Sequence, residues 1–261
     1  MNVNPRVRLG QRLTVEALMQ PGFSTPWDAP TVPPFPFTFR NMDVLTVAWR
    51  TDLAAIEALL PPMLTPTSDV VMAHIYRMND TEWLGPYTES NIMVGVRYDP
   101  TGETGGYSTH LFLSSEVGVV HGREIHGQPK KLGNPSLTTA GDAWVGRIER
   151  NGIDVLTGTL AYKQQAGSLE ALSEHFDFAQ NINLKALDHI DGRPAVRQLT
   201  ARRLGSLTVH ECWTGPCTVE LRPNIQAPIH RLPVRDMLDG CFWRADFTLV
   251  QGTVLHDFMA T

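Results

Sequence analysis

Trp144-Val145-Gly146-Arg147-Ile148-Glu149-Arg150-Asn151-Gly152-Ile153-Asp154-Val155-Leu156-Thr157-Gly158-Thr159-Leu160-Ala161-Tyr162 is the stretch that decides the fold class. In its second arm Ile153, Val155, Thr157, Thr159 and Ala161 alternate with Asp154, Leu156, Gly158, Leu160 and Tyr162, the two-residue period of a pleated strand. Asn151-Gly152 supplies the positive φ angles of a tight hairpin turn. Outward from this hairpin the same texture recurs. Strands are expected at Phe37–Ala48, Val70–Tyr76, Asn91–Tyr98, Tyr107–Leu113, Lys185–Ile190, Ala195–Leu207 and Phe242–Leu255, with a second hairpin turn at Asp191-Gly192. Helical signals are short. Thr51-Asp52 caps Leu53–Leu60 ahead of Pro61-Pro62, and Leu13–Met19 and Ser168–His175 are two further candidates. The expectation is an α+β protein that is mostly antiparallel β, a large sheet or barrel with peripheral short helices. No repeat, linker or low-complexity tract divides the chain. One domain over residues 1–261 is expected, with residues 1–35 an N-terminal extension packed on it.

Composition narrows the function. The chain has 261 residues and a formal net charge of -5, which argues against a general nucleic-acid binder. No apolar run is long enough to span a bilayer, so no membrane partner is expected. Met1 to Gly22 lacks a compact apolar core with a cleavage site and reads as an unprocessed cytoplasmic start. The three cysteines, Cys212, Cys217 and Cys241, have no paired spacing. His210-Glu211-Cys212 are consecutive and, on a strand, point to alternating faces, so no metal is expected. There is no G-x-G-x-x-G and no P-loop, hence no nucleotide or flavin motif.

Chemistry enters at Gly122-Arg123-Glu124-Ile125-His126-Gly127-Gln128-Pro129-Lys130-Lys131-Leu132-Gly133. Of 22 basic side chains only Lys130, Lys131, Lys163 and Lys185 are lysines, and two of them are adjacent here. A primary amine condenses with a ketone, whereas a guanidinium does not. The plain alternative is a solvated surface turn. Gly122-Arg123-Glu124 followed by Pro129–Gly133 resembles the active-site segment of the acetoacetate decarboxylase family. Tyr87-Thr88-Glu89-Ser90, Val209–Pro216, Trp49-Arg50-Thr51-Asp52 and, more weakly, Leu232-Pro233-Val234 resemble further segments of that family, in family order from about Phe37 onward.

The resemblance implies a cone-shaped antiparallel β-barrel, a homo-oligomer and a Schiff base on Lys130 with no other cofactor. It also implies Lys131 as the neighbour that tunes the amine's pKa, and Glu89 as the proton-transfer acid. The resemblance, not this sequence, supplies the idea of a lysine activated by desolvation or an adjacent cation. Two effects disfavour an ammonium: burial and a nearby positive charge. Pro129 favours an extended backbone before it. If that continues, Lys130 and Lys131 point to opposite faces. Burial is then expected to dominate, with Lys131 secondary or held in a structural ion pair.

The sequence also departs from the family. Where the resemblance places a carboxylate-steering arginine this chain has Met42, and where it places a second acid the chain has His74. Arg40, two residues earlier on the strand, is expected to share a face with Met42 and to replace the lost charge in part. His126 and His74 are possible acid–base helpers, and Gln128 a donor to a bound carboxylate. The altered pocket favours an aldolase-dehydratase condensing a 2-oxo acid such as pyruvate with an aldehyde through a Lys130 enamine. The alternatives are decarboxylation of acetoacetate or a related β-keto acid, and a barrel that binds a small ligand without turnover. The expected partners are a small oxo acid, for the condensation an aldehyde as well, and further copies of the chain.

Overall fold

The computed structural model describes Gly10 and residues 12–260. Residues 1–9 and 11, part of the expected N-terminal extension and of the expected cytoplasmic start, lie outside the described residues. Among the described residues, thirteen strands of three residues or more carry the fold. They are β1 (Phe37–Arg50), β2 (Leu64–Met78), β3 (Tyr87–Tyr98), β4 (Glu103–Leu113), β5 (Lys130–Leu132), β6 (Asn134–Ala140), β7 (Ala143–Arg150), β8 (Ile153–Ala161), β9 (Gln180–Asp188), β10 (Pro194–Gly215), β11 (Cys217–Leu221), β12 (Gly240–Leu249) and β13 (Thr253–Asp257). The α-helices are short: α1 (Val15–Leu18), α2 (Leu53–Glu57), α3 (Glu116–His121) and α4 (Glu170–Ser173). The protein is a strand-rich α+β fold, as the alternation predicts. No helix among the described residues is long and apolar enough to cross a membrane.

The large sheet runs β10-β9-β4-β3-β2-β1, with β12 paired to both β1 and β10 and β13 along β10. Its pairings are antiparallel except β9 with β4 and β4 with β5. A four-stranded sheet, β11-β8-β7-β6, stacks against it. The opening hairpin forms β7 and β8, with Asn151 at φ 57° and Gly152 at φ 75° in the turn. Its glycines explain the stacking. Gly146 and Gly158 are register partners. A Cβ on Gly146 would stand 2.8 Å from Ile75 Cδ1, and one on Gly158 would stand 3.2 Å from Val47 Cγ1. Two missing side chains let the sheets close on each other.

β1, β2 and β3 are buried on both faces, so their sequences read as near-continuous apolar runs. Leu45, Val47 and Ile75 face the small sheet with Leu137, Trp144 and Leu156. Met42, Val44 and Met72 face the other way, into a second core with Phe37, Phe178, Trp243 and Phe247. The candidate site lies on this second side.

Two expectations about elements need correction. The expected strand Phe242–Leu255 is two strands that break before Thr253. At the break a Cβ on Gly252 would lie 2.6 Å from the Ala201 carbonyl oxygen, so the chain passes close to β10. The run before Lys130 is α3 continuing into a π-helical turn, Gly122–His126. Finally, Arg40 and Met42 do not share a face. The register with β12 shifts between Phe39 and Met42, and Asn41 sits at φ 51°. This bulge breaks the two-residue alternation, leaving Arg40 exposed and Met42 buried.

Candidate active site

Lys130 reaches the interior because of what surrounds it in the chain. The π-helical turn ends at Gly127, in the left-handed region at φ 77°. A Cβ there would sit 2.5 Å from the Lys185 Cα, so only glycine fits. At the start of the turn, a Cβ on Gly122 would come within 2.7 Å of Lys130 Cε. The lysine side chain therefore lies across a glycine surface. β5 then pairs in parallel with β4, Lys130 opposite Leu111. Alternation along β5 sends the two lysines apart, as expected. Lys130 is 6% exposed, whereas the exposed Lys131 donates from Nζ to the Gln226 carbonyl at 3.1 Å. Lys131 thus bonds to the backbone and side chain of Gln226, with no carboxylate partner among the described residues.

β3 delivers Glu89 to the same spot. Lys130 Nζ stands 3.1 Å from Glu89 Oε2, and both groups are buried. Gln128 donates to Asn181 Oδ1 at 3.2 Å, and Asn181 in turn donates to Ser108 Oγ at 2.8 Å. This chain of amides fixes the floor of the site. Burial, with the Glu89 charge beside them, holds the Tyr76 and Tyr87 phenols well above their ordinary range. Both therefore stay protonated next to the carboxylate.

Two adjoining cavities meet here. Lys130, His121, Phe37 and Leu84 line one. Met42, Asn91, Phe178 and Trp243 line the other. Glu89, Gln128 and Arg202 line both. Arg202, on β10, escaped the sequence reading. It is 7% exposed, and its Nε and Nη1 find no hydrogen-bond partner among the described residues. Burial pulls its guanidinium down to about 10, with the Glu89 charge acting the other way, so it remains cationic at neutral pH. A signal for it existed. On a strand with one buried face, adjacent arginines cannot both point outward. Arg203 takes the exposed side and pairs with Asp177 at 2.6 Å.

The remaining expected site residues are dispersed. Arg40 pairs with Asp80 at 3.4 Å on the surface and lines neither cavity. Met42 lines the inner cavity. His74 is fully buried but lines neither cavity. Its Nδ1 and Thr46 Oγ1 are 2.8 Å apart, and Trp243 Nε1 donates to the same hydroxyl at 3.1 Å. Burial pushes His74 down to about 3, so it is neutral. His126 is buried edge-on against Phe35, with ring centroids 5.5 Å apart. It lines a separate cavity with Lys185 and Thr200. Burial above all, with nearby cations, depresses its pKa far below the ordinary histidine value. Among the described residues no three His, Cys, Asp or Glu side chains cluster as metal ligands would.

The arrangement offers a buried amine, a carboxylate within hydrogen-bonding reach and an under-ligated guanidinium around a divided cavity. The family model for acetoacetate decarboxylase matches residues 20–259. "Acetoacetate decarboxylase 3" of Mesorhizobium japonicum is 32% identical over 242 residues, 93% of each chain. The crystal structure of acetoacetate decarboxylase from Legionella pneumophila superposes with a TM-score of 0.84 at 34% identity, covering 96% of this chain and 100% of that one. The enduracididine biosynthesis enzyme MppR complexed with pyruvate has a TM-score of 0.75 at 18% identity, covering 91% of this chain and 98% of that one, a likeness of fold alone.

Proposed function

The chain belongs to the acetoacetate decarboxylase family of Schiff-base lysine lyases, and on that premise we propose that it decarboxylates a β-keto acid through an imine on Lys130. The observation that carries this is the buried Lys130–Glu89 pair at 3.1 Å. Glu89 takes a proton from the amine, and the free amine attacks the ketone carbon. Glu89 hands that proton to the departing hydroxyl, which leaves as water, and the nitrogen becomes a positively charged iminium. The bond to the carboxyl carbon then breaks, carbon dioxide departs, and the electron pair passes into an enamine. Glu89, reprotonated from solvent, gives a proton to the enamine carbon. Water hydrolyses the imine, which frees the ketone product and the lysine. No part of this sequence calls on a second cofactor, because the iminium is the electron sink.

The finer reading of the fold belongs with this proposal. β12 pairs with β1 on one edge and with β10 on the other, which supports a cone-shaped barrel around the second core. The core shared between the two sheets supports one domain.

The neutral Met42 in the inner cavity favours a second reading, aldol condensation and dehydration of a 2-oxo acid with an aldehyde. The relatives named acetoacetate decarboxylase favour the first. One pair of assays separates them. Carbon dioxide release from acetoacetate, abolished by Lys130→Ala, is expected. A new chromophore from pyruvate and an aromatic aldehyde, with no carbon dioxide from acetoacetate, would reverse the order.

A further inference from the structure

Arg202 is a charged group at the site whose bonding is incomplete among the described residues. A guanidinium carries five N–H donors in a fixed plane and no acceptor. Leaving such donors dry and unpaired is costly. Here Nε and Nη1 have no partner among the described residues, and the side chain is more than nine-tenths buried. Glu89, on the same cavity walls, is paired with Lys130 Nζ at 3.1 Å.

Charge counting gives the same answer. Around the two cavities stand Lys130, as ammonium or iminium, together with Arg202 and Glu89. Tyr76 and Tyr87 remain protonated, and His74 and His126 are neutral for the reasons given above. His121 also lines the first cavity. Two cations against one anion leave a buried positive charge that an anionic ligand would balance. A carboxylate matches the planar guanidinium in both charge and shape. Arg202 also lies on the boundary shared by both cavities, on the walls that hold Glu89 and Gln128. The surface residue Arg40, committed to Asp80, cannot serve there.

We propose that Arg202 is the carboxylate-binding residue of the pocket, holding the acid group of an oxo acid whose oxo carbon is joined to Lys130. The placement of the oxo carbon rests on the Schiff-base reading, whereas the anion site does not. One kinetic consequence follows from the chemistry. Decarboxylation turns the bound carboxylate into neutral carbon dioxide, so the guanidinium holds the ground state more tightly than the transition state. Loss of Arg202 should therefore raise KM more than it lowers kcat.

The test uses the full chain, Arg202→Met and Arg202→Lys, each checked for folding by circular dichroism. Butanoate, a monocarboxylate with no oxo group, is titrated calorimetrically into each. In parallel, butanone, a ketone with no charge, is trapped on Lys130 with borohydride. The expected result is a loss of butanoate affinity of about 10- to 100-fold in Arg202→Met, the size of a charged hydrogen bond. Arg202→Lys should fall between, and butanone trapping should not change. Equal butanoate affinity in parent and Arg202→Met overturns the proposal. So does a folded Arg202→Met that no longer traps butanone, because Arg202 would then serve the amine or Glu89 instead. If the parent traps no ketone while butanoate binding still depends on Arg202, the Schiff-base reading fails and the anion site stands.

Discussion

Asp43 and Arg202 are both charged side chains withdrawn from water, and the fold treats them in opposite ways. Asp43, on β1, is fully buried. It accepts from Arg244 Nε at 2.6 Å, from Arg77 Nε at 3.1 Å and from Asn79 Nδ2 at 3.1 Å. Burial pushes its carboxyl up, but the hydrogen bonds from Arg244, Arg77 and Asn79 outweigh that and hold it below the usual value. Arg202 has a similar degree of burial and two unpartnered nitrogens. The difference separates two uses of buried charge. A buried ion whose lone pairs and protons are all met by the protein is part of the frame. One left partly unmet at a cavity is part of a binding site.

The comparison is sharpened by substitutions that should affect only one side of it. Glu89→Gln removes the proton-transfer group. Turnover should fall about 10²- to 10⁴-fold, trapping of an imine on Lys130 should slow with it, and the fold is kept. A variant that turns over normally would remove Glu89 from the chemistry. Asp43→Ala should behave in the reverse way. It removes the shared partner of Arg77 and Arg244, both more than a third exposed, so urea unfolding should show a loss of about 1–3 kcal/mol, with activity per folded molecule retained. Arg202→Met, by contrast, should cost no stability. Equal destabilisation by the two substitutions would break the distinction.

Acid should act on the buried histidines. An unfolded histidine takes up a proton below about 6.5, whereas folded His74 does so only near 3. The unfolded state therefore binds more protons throughout that window. Stability is complete above the window and is lost as pH falls through it, at up to about 1.4 kcal/mol per pH unit for each such histidine. His126, also depressed by burial, adds in the same direction. Urea midpoints unchanged between pH 7.5 and pH 5 would contradict this. The smallest effect should be that of Lys131→Ala. Its amine is exposed and bonded to a carbonyl, so activity should stay within roughly threefold, since screened surface charges contribute little. A large loss would mean that Lys131 acts on the site from a distance.

How much of this was legible in the sequence depends on what each feature rests on. The β7–β8 hairpin was readable because its turn chemistry and its alternation are local. So was the opposed pointing of Lys130 and Lys131, which follows from strand geometry alone. The α3 helix and its π-helical turn were not. Val117-Gly118-Val119-Val120 has weak helical propensity, and the segment is helical because it packs over the site, where a Cβ on Gly118 would meet Leu113 at 2.6 Å. Arg40 was misassigned because one left-handed residue, Asn41, resets the alternation. Arg202 was missed because alternation says that one of Arg202 and Arg203 turns inward without saying which. Only the pairing of β10 with β9, Arg202 opposite Asn181, decides it.

The most direct test is borohydride reduction of the protein with acetoacetate, followed by intact mass and peptide mapping. An acetone-derived adduct confined to Lys130, and absent from Lys130→Ala, is the predicted result. An adduct on Lys131 or another lysine, or no adduct while carbon dioxide is still released, would contradict the assignment of Lys130 as the imine-forming residue.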